Sequence, residues 1–304
     1  MQIFVALGGN ALLKRGDPMN TEVQLANVRI AARALAPVAR QHRLVVSHGN
    51  GPQAGLLALQ ATAYDGVPPY PLNMIGAATE GMIGYMLEQE LGNLLGYDVP
   101  VATLLTRTVV DPKDPAFANP TKFVGPGYDQ AAAQAEATRH GWTFKQDGAR
   151  WRRVVPSPQP KAIVWHRPIR WLLENGSVVI CAGGGGIPCK YLPDGKTLVG
   201  VEAVIDKDRA GALLASELPA DLFVIATDVD GVYLDWGTPQ QRLLRQVTPD
   251  QLSQYAFTSG SMGPKVEAAC DFVRRTGQRA VIGSLEHLQE LIEGSSGTIV
   301  QADP

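Results

Sequence analysis

The sequence predicts an α/β fold built on a doubly wound, mainly parallel open sheet. Short runs rich in valine, isoleucine and leucine recur along the chain, and most of them are followed by glycine or aspartate. Strands that are apolar on both faces are typical of parallel sheets with helices on either side. Helical patterns lie between the runs, and this alternation indicates the fold class. The predicted strands are residues 3–7, 44–47, 99–105, 178–182, 222–227 and 280–283.

Three helices carry recognisable start signals. Thr21 and Gln24 have the spacing of a capping box and precede apolar residues at helical spacing. Thr248 and Gln251 repeat that spacing, with a proline at the first helical position. A third capped helix is predicted over residues 284–294.

Two stretches interrupt the alternation. Residues 109–160 are dense in proline, glycine and charge, and a structureless loop of that length is rare inside a compact domain. We therefore expect a small inserted subdomain that projects from the main body. Residues 72–95 form a helix pattern that is apolar on most faces and contains Gly76, Gly81 and Gly84. Such a helix either packs against a copy of itself in a dimer or lies inside the core.

Composition narrows the classes of partner. The 304 residues carry a net charge of −2, which gives no electrostatic reason to expect nucleic acid or an anionic membrane. No run of about 18 apolar residues occurs, and residues 1–7 are too short for a signal peptide. The three cysteines form no C-x-x-C pair, which argues against a disulfide framework or a thiolate zinc site. We expect a protein of the reducing cytoplasm.

Glycine-rich turns follow the first two predicted strands. Gly8-Gly9-Asn10 ends the first, and Gly49-Asn50-Gly51 follows the second just before a proline suited to begin a helix. Glycine lets backbone amides approach an anion, and a helix N-terminus adds a positive dipole. Each turn alone is equally well explained as a tight turn, but two at successive strand ends favour an anion site.

A third glycine run, residues 183–186, imitates a dinucleotide-binding turn. Pro188, Pro193 and Asp194-Gly195 prevent the helix that should follow at once, so a pyrophosphate would find no helix dipole. We interpret residues 194–195 as a hairpin turn and the glycines as a wall of the active-site cleft.

Two lysines lie at predicted helix starts. Asp206 is placed to cap a helix with Lys207 in its first turn, and Asp208 flanks that lysine on the other side. Lys265 follows a glycine-rich segment in the same way. Both arrangements suit phosphate binding, and for Lys207 the alternative is a solvated charge cluster. The aspartates of Thr227-Asp228-Val229-Asp230 at a strand end are candidates for magnesium or ribose, or for a plain turn.

Together these segments resemble the carbamate kinases of the amino acid kinase superfamily along essentially the whole chain. An Asn-Pro-Thr-Lys segment at residues 119–122 separates that family from acetylglutamate, aspartate and uridylate kinases. The matching stretches are residues 6–12, 48–53, 119–122, 153–158, 182–188, 202–208 and 260–265.

The resemblance implies a three-layer α/β/α sandwich that forms a homodimer. Residues 1–199 would be an acid-binding lobe with an insert over about 109–167, and residues 200–304 a nucleotide-binding lobe. The substrates would be ATP or ADP with carbamate or carbamoyl phosphate, and Mg²⁺ would arrive with the nucleotide rather than on protein ligands.

The resemblance also assigns site residues. Lys207 and Lys265 would grip the phosphates, Asp208 would orient Lys207, and Lys122 would close over the transferred group. The remaining assignments are Gly8, Gly9 and Asn10 for phosphate, Gly49, Asn50 and Gly51 for carbamate, and Thr227, Asp228, Tyr233, Met262 and Val266 for the nucleotide.

The chemistry needs cations more than a base. Carbamate already carries an attacking oxygen, so no histidine–carboxylate pair is required, and His48 either contacts substrate or only braces its turn. Spreading negative charge in the loose transition state is met by lysines and magnesium. The rivals are another kinase of the superfamily, a nucleotide-binding regulator without turnover and, least favoured, a dehydrogenase. We expect the cell to use the direction that makes ATP.

Overall fold

The computed structural model describes residues 1–13, 17–64, 66–257 and 262–302, without the side chains of Asn10 and Ala11. In the first half the elements are β1 Gln2–Leu7, α1 Gly9–Leu12, α2 Thr21–Gln41, β2 Arg43–His48, α3 Gly51–Thr62, α4 Leu72–Leu95, β3 Val101–Thr103, β4 Arg107–Val110, β5 Lys122–Tyr128, α5 Gln130–His140, β6 Thr143–Asp147, β7 Arg150–Val155, β8 Pro160–Val164, α6 Arg167–Glu174 and β9 Val178–Ile180. In the second half they are β10 Ile187–Tyr191, β11 Leu198–Gly200, α7 Lys207–Glu217, β12 Leu222–Thr227, β13 Val232–Leu234, β14 Arg242–Leu244, β15 Gln246–Val247, α8 Pro249–Leu252, α9 Met262–Thr276, β16 Arg279–Ser284, α10 Leu288–Glu293 and β17 Thr298–Val300.

The central sheet has the strand order β15-β17-β16-β12-β1-β2-β9-β3. All of its pairings are parallel except that of β16 with β17. The six strands predicted from the sequence are the six adjacent ones from β16 to β3, so that prediction is confirmed. The apolar runs identify these strands because both faces of each are buried.

Two hydrophobic clusters cover the two faces of this sheet. Alternate residues of β1 point to opposite sides: Phe4 joins the cluster of α6, α7 and α9, whereas Ile3 and Val5 join that of α2, α4 and α10. On the first side Phe4, Phe223 and Phe272 are all fully buried. The predicted α/β/α sandwich is confirmed.

Helix starts follow the sequence signals with one correction. The Thr248–Gln251 capping box is present and begins the single turn of α8. In α2, however, the cap is Asn20, whose side chain accepts from the Val23 amide at 2.9 Å, so the capping box predicted at Thr21 and Gln24 is wrong by one residue. Asparagine is among the strongest N-cap residues, and its place just before Thr21 puts the threonine inside the helix. Ser284 caps a short 3₁₀ turn, Leu285–His287, that leads into α10.

Apart from β9, the strands from β4 to β11 form two smaller sheets. Strands β11, β10, β4 and β8 form one, and β5, β7 and β6 form an antiparallel sheet of their own, against which α5 packs. The hairpin predicted at residues 194–195 is confirmed by the antiparallel pairing of β10 with β11. The division into lobes and insert stays a prediction.

Helix α4 is buried on one face only within a single chain. Gly84 lies on the inner face, where an added Cβ would stand 2.3 Å from the Thr103 methyl carbon. A Cβ on Gly76 or Gly81 would meet no heavy atom within 4 Å. The outer face exposes Met74, Met82 and Tyr85. Over the described ranges, no helix is both long enough and apolar enough to cross a membrane.

Candidate active site

The carboxyl ends of β1, β2 and β12 bring the two glycine turns into contact. These strands are parallel neighbours, so their following turns lie at one edge of the sheet. A Cβ on Gly49 would stand only 3.0 Å from the backbone nitrogen and Cα of Gly9. Glycine at position 49 is therefore needed for the turns to meet.

Two backbone amides of these turns donate hydrogen bonds within the protein, and two others stand at helix starts. Gly8 donates to the Ala226 carbonyl at 2.8 Å and Gly49 donates to the Leu7 carbonyl at 3.1 Å, so these two amides fix the turns. Gly9 and Gly51 instead begin α1 and α3, where first-turn amides have no partner within the helix.

Asp208 joins two of the predicted lysines at the start of α7. Its Oδ2 lies 2.9 Å from Lys265 Nζ, and its Oδ1 binds Lys207 Nζ. The Asp208 side chain is only 5% exposed, so both pairs are nearly shielded from water. The sequence placed Asp208 beside Lys207, but the contact with Lys265 on α9 depends on the packing of the two helices.

Asp206 both caps α7 and binds the third lysine, Lys122, with a different oxygen for each contact. Its Oδ1 accepts from the amides of Asp208 and Arg209 at 3.0 and 3.3 Å, as the predicted cap requires. Its Oδ2 binds Lys122 Nζ at 2.8 Å, which ties the start of β5 to the start of α7. Sequence reasoning missed this second contact because no local signal links residues 84 positions apart.

Burial disfavours the charged forms of Asp208, Lys207 and Lys265, and the ion pairs outweigh it for Asp208 and Lys265 but not for Lys207. Burial would raise the pKa of Asp208, but Lys207 and Lys265 hold it below its usual value. Burial, together with Lys265, lowers the pKa of Lys207 although Asp208 opposes the shift. Burial likewise disfavours charged Lys265, yet Asp208 raises its pKa overall. With all five groups charged, the cluster carries one net positive charge and suits an anion.

A wall of glycine turns closes the side next to α3. Asn50 is buried, and its Nδ2 donates to Thr79 Oγ1 on α4 at 2.8 Å. A Cβ on Gly184 would stand 2.2 Å from that amide nitrogen, and the backbone there has a φ of +63°. The predicted glycine wall therefore packs directly on the side chain assigned to carbamate binding, and it requires glycine for both conformation and space.

Behind this wall lie two buried titratable side chains. Burial lowers the pKa of His48 to about 4, and nearby Lys207 adds to the shift, so the imidazole is neutral at neutral pH. His48 Nδ1 contacts the Gly49 carbonyl at 3.1 Å, and its ring blocks any Cβ on Gly183. Of the two roles considered for His48, this geometry favours bracing the turn.

Glu80 on α4 is a site residue that sequence reasoning missed. Its Oε1 accepts from the Gly183 amide at 3.0 Å and its Oε2 from the Thr106 amide at 3.1 Å. The side chain thus fixes the glycine wall to the loop between β3 and β4. Glu80 shares the helical face of Ile83 and Leu87, and one acid in such a face is the signal that could have found it.

The residues assigned to the nucleotide lie on β12 and the turn after it, on β13 and on α9. Thr227 Oγ1 donates to Asp228 Oδ1 at 3.1 Å, and the charge of Asp228 helps to raise the pKa of Lys265. Tyr233 packs edge-on against Trp236, an exposed aromatic residue that the sequence did not single out. Val266 is 5% exposed within the core, and Met262 packs against the same cluster. Gly260 and Ser261 lie outside the described residues.

Comparison with known proteins gives the class. A model of the amino acid kinase family matches residues 1–284, and the chain belongs to that family. It is 57% identical to a carbamate kinase of Rhizobium meliloti, over 99% of this chain and 94% of that relative. It is 51% identical to a carbamate kinase of Escherichia coli, over 98% of both chains.

The solved structures agree. A carbamate kinase from Giardia lamblia bound to AMP-PNP is 40% identical, covers 99% of this chain and 98% of its own, and superposes with a TM-score of 0.91. These relatives confirm that the chain resembles the carbamate kinases, as the sequence motifs predicted. The chain is accordingly an enzyme of phosphoryl transfer.

The cysteines of this chain give a testable contrast with one relative. A Giardia lamblia carbamate kinase, 39% identical to this chain, has been solved with a cysteine thiocarbamoylated by disulfiram. Here Cys181, Cys189 and Cys270 are all buried, and burial raises the pKa of each thiol. Because the thiolate is the nucleophile, the folded chain should resist disulfiram and aromatic disulfide reagents.

We expect essentially no rapid release of thionitrobenzoate from the native protein and release from three thiols in denaturant. Mass spectrometry after disulfiram treatment should show unmodified chain. Stoichiometric modification of the native protein within minutes would contradict this expectation.

Proposed function

We propose that this chain transfers a phosphoryl group reversibly between ATP and carbamate, giving ADP and carbamoyl phosphate. The observation that supports this most is the meeting of Lys122, Lys207 and Lys265 through two buried aspartates. The side chain of Lys207 passes beside the glycine turns, since a Cβ on Gly49 would stand 3.6 Å from its Cδ. The closeness of this lysine to the glycine turns supports a shared anion site.

In this proposal each side of the site holds one substrate. Carbamate lies against Gly49, Asn50 and Gly51, where the start of α3 offers its amides and dipole. The transferred phosphoryl group lies between that turn and the lysines, near Gly8, Gly9 and Asn10. The nucleotide lies beyond it, along the segments of Thr227, Asp228, Tyr233, Met262 and Val266.

The lysines stabilise the negative charge of the substrates and of the transition state. Bringing two anions together is the main barrier, and the loose transition state spreads negative charge over the transferred oxygens. Lys207 and Lys265 are fixed by Asp208 before substrate arrives, so little reorganisation is needed as that charge develops. Carbamate supplies its own nucleophilic oxygen, and His48 is too buried to act as a base.

Mg²⁺ is proposed to enter with the nucleotide. In the part of the chain that the structure describes, no three acidic, histidine or cysteine side chains are grouped to hold a metal ion. The carboxylates nearest the lysines, Asp206 and Asp208, are already paired with them. Phosphate oxygens and water would therefore hold the ion, which would neutralise part of the phosphate charge. Activity restored to EDTA-treated enzyme by MgCl₂ would support this, and full activity in EDTA would refute it.

The proposed cellular direction is ATP synthesis. Carbamoyl phosphate is a mixed anhydride with a strong tendency to transfer its phosphoryl group, whereas carbamate is scarce in water. The deciding experiment measures ATP formed from ADP, Mg²⁺ and carbamoyl phosphate in a hexokinase-coupled assay, with an enzyme-free control for spontaneous decay of the anhydride. We expect rapid ATP formation.

The same assay separates the alternatives. Acetyl phosphate, acetylglutamyl phosphate and UDP replace carbamoyl phosphate as the phosphoryl donor in parallel reactions, with ADP as the acceptor in each. Turnover with carbamoyl phosphate at least about a hundredfold above the others is the expected result. No ATP above the enzyme-free control would overturn the proposal, and preference for another acyl phosphate would favour a different kinase of the family.

We further propose a cytoplasmic homodimer with an acid lobe over residues 1–199 and a nucleotide lobe over 200–304. The exposed apolar residues of α4, including Met74, Met82 and Tyr85, suit a surface covered by a second copy. Sedimentation velocity should give the mass of two chains, and Tyr85→Glu should shift it toward one. A monomeric wild type, or recovery outside the cytoplasmic fraction, would refute these points.

A further inference from the structure

Helix α3 contacts strand β5 through two glycines, Gly55 and Gly125, whose backbones lie unusually close together. A Cβ added to Gly55 would stand 2.4 Å from the Cα of Gly125 and 2.5 Å from its nitrogen. Both neighbours are backbone atoms, so no side-chain rotation could make room. The contact therefore sets how closely β5 approaches α3.

The two glycines sit on the elements that carry the two halves of the proposed site. Gly55 is four residues after Gly51 on α3, so both lie on the same face of the helix. Gly125 is three residues after Lys122 on β5. One short contact thus connects the turn proposed to hold carbamate with the strand that carries Lys122.

Gly125 has little freedom to move away. Its φ of +71° requires glycine, and its carbonyl accepts from Arg152 Nε on β7 at 3.2 Å. Strand β5 pairs regularly with β7 from Lys122 to Val124, and the register then shifts before Tyr128. The strand departs from its ladder at the point where it meets α3, and Lys122 belongs to the regular part just before it.

We propose that Gly55 is a positioning residue for phosphoryl transfer, because its contact with Gly125 sets the place of Lys122 over the acid site. The inference rests on the proposed function and adds a residue that touches no substrate. A methyl group at position 55 would push β5 outward, and Lys122 would lose its place 2.8 Å from Asp206. Displacement by about an ångström is enough to slow a positioned reaction by up to about a hundredfold.

The first test is Gly55→Ala, assayed for ATP formation from carbamoyl phosphate and ADP. We expect kcat to fall by about 10- to 100-fold, while KM for ADP stays within about twofold because the nucleotide side is untouched. Gly92→Ala on α4 is the matched control, since its Cβ would meet no heavy atom within 4 Å. That variant should keep wild-type kcat. A Gly55→Ala kcat within about twofold of wild type would overturn the proposal.

A double-mutant cycle with Lys122→Ala separates positioning from a general structural effect. If Gly55 acts through Lys122, the loss caused by Gly55→Ala should shrink to less than about threefold when Lys122 is absent. The full loss in both backgrounds would refute the inference. If Gly55→Ala fails to fold, Arg152→Gln, which releases the Gly125 carbonyl, takes its place in the cycle with the same criterion. Wild-type activity is measured first, so failure of the proposed function is distinguished from failure of this inference.

Discussion

Replacing Lys207 with alanine is expected to reduce kcat for phosphoryl transfer by about 10²- to 10³-fold, the usual effect of removing one preorganised group that stabilises transition-state charge. The Lys207 side chain is 11% exposed and lies between Asp208 and the Gly49 turn, so water cannot easily replace its ammonium group. Asp208 keeps Lys265 as a partner in the variant, so no unpaired buried carboxylate is left behind. The loss should therefore fall on catalysis more than on folding.

The matched control is Lys196→Ala, because Lys196 is exposed in the turn between β10 and β11. It should retain wild-type kcat. Lys207→Arg tests whether charge alone suffices: a planar guanidinium is larger than an ammonium group and should restore little activity in a site this enclosed. Circular dichroism and thermal melting verify that the variants are folded. A Lys207→Ala kcat within a few fold of wild type would mean that the lysine cluster is not the catalytic centre.

The sequence predicted the parts of this cluster that lie close together along the chain. Three consecutive residues at a helix start predict both the cap at Asp206 and the pairing of Lys207 with Asp208. The bridge from Asp208 to Lys265 spans 57 positions and depends on how α7 packs against α9. Only the family resemblance indicated that Asp208 and Lys265 lie at one site. The periodicity of apolar residues predicts helices and strands but not the distances between them.

The same distinction explains the fold. The apolar strands of the central sheet could be predicted because a strand that is buried on both faces is a nearly continuous run of apolar residues. Strands β5 and β6 are mostly half-exposed and carry proline, glycine and charge. Their pairing with β7 therefore produces no apolar run in the sequence. Gly55 is an example of a residue whose role could not be predicted. The sequence of α3 does not indicate that the backbone of Gly125, 70 residues away, leaves no space for a side chain at position 55.

Glu80 provides the prediction with the largest effect on stability. Burial raises the pKa of its carboxyl group from 4.5 to about 8, although the amides of Thr106 and Gly183 oppose the shift. A carboxyl group with a raised folded-state pKa stabilises the fold at low pH, and that contribution is lost as the pH rises through the folded-state pKa. The loss should begin above about pH 4.5 and be complete somewhat above pH 8. At about 1.4 kcal/mol for each unit of pKa, it amounts to roughly 5 kcal/mol at most.

Glu80→Gln removes this ionisation while keeping a side chain of the same size and one oxygen acceptor for the buried amides. The substitution has its own cost, because an NH₂ group replaces the second acceptor, but that cost should not depend on pH. Urea unfolding of both proteins from pH 5 to pH 9 measures the difference, and all other titrating groups cancel when one curve is subtracted from the other. The wild type should lose several kcal/mol relative to the variant across this range. Parallel curves would show that Glu80 is already ionised in the folded protein at pH 5, with the two amides outweighing its burial behind the glycine wall.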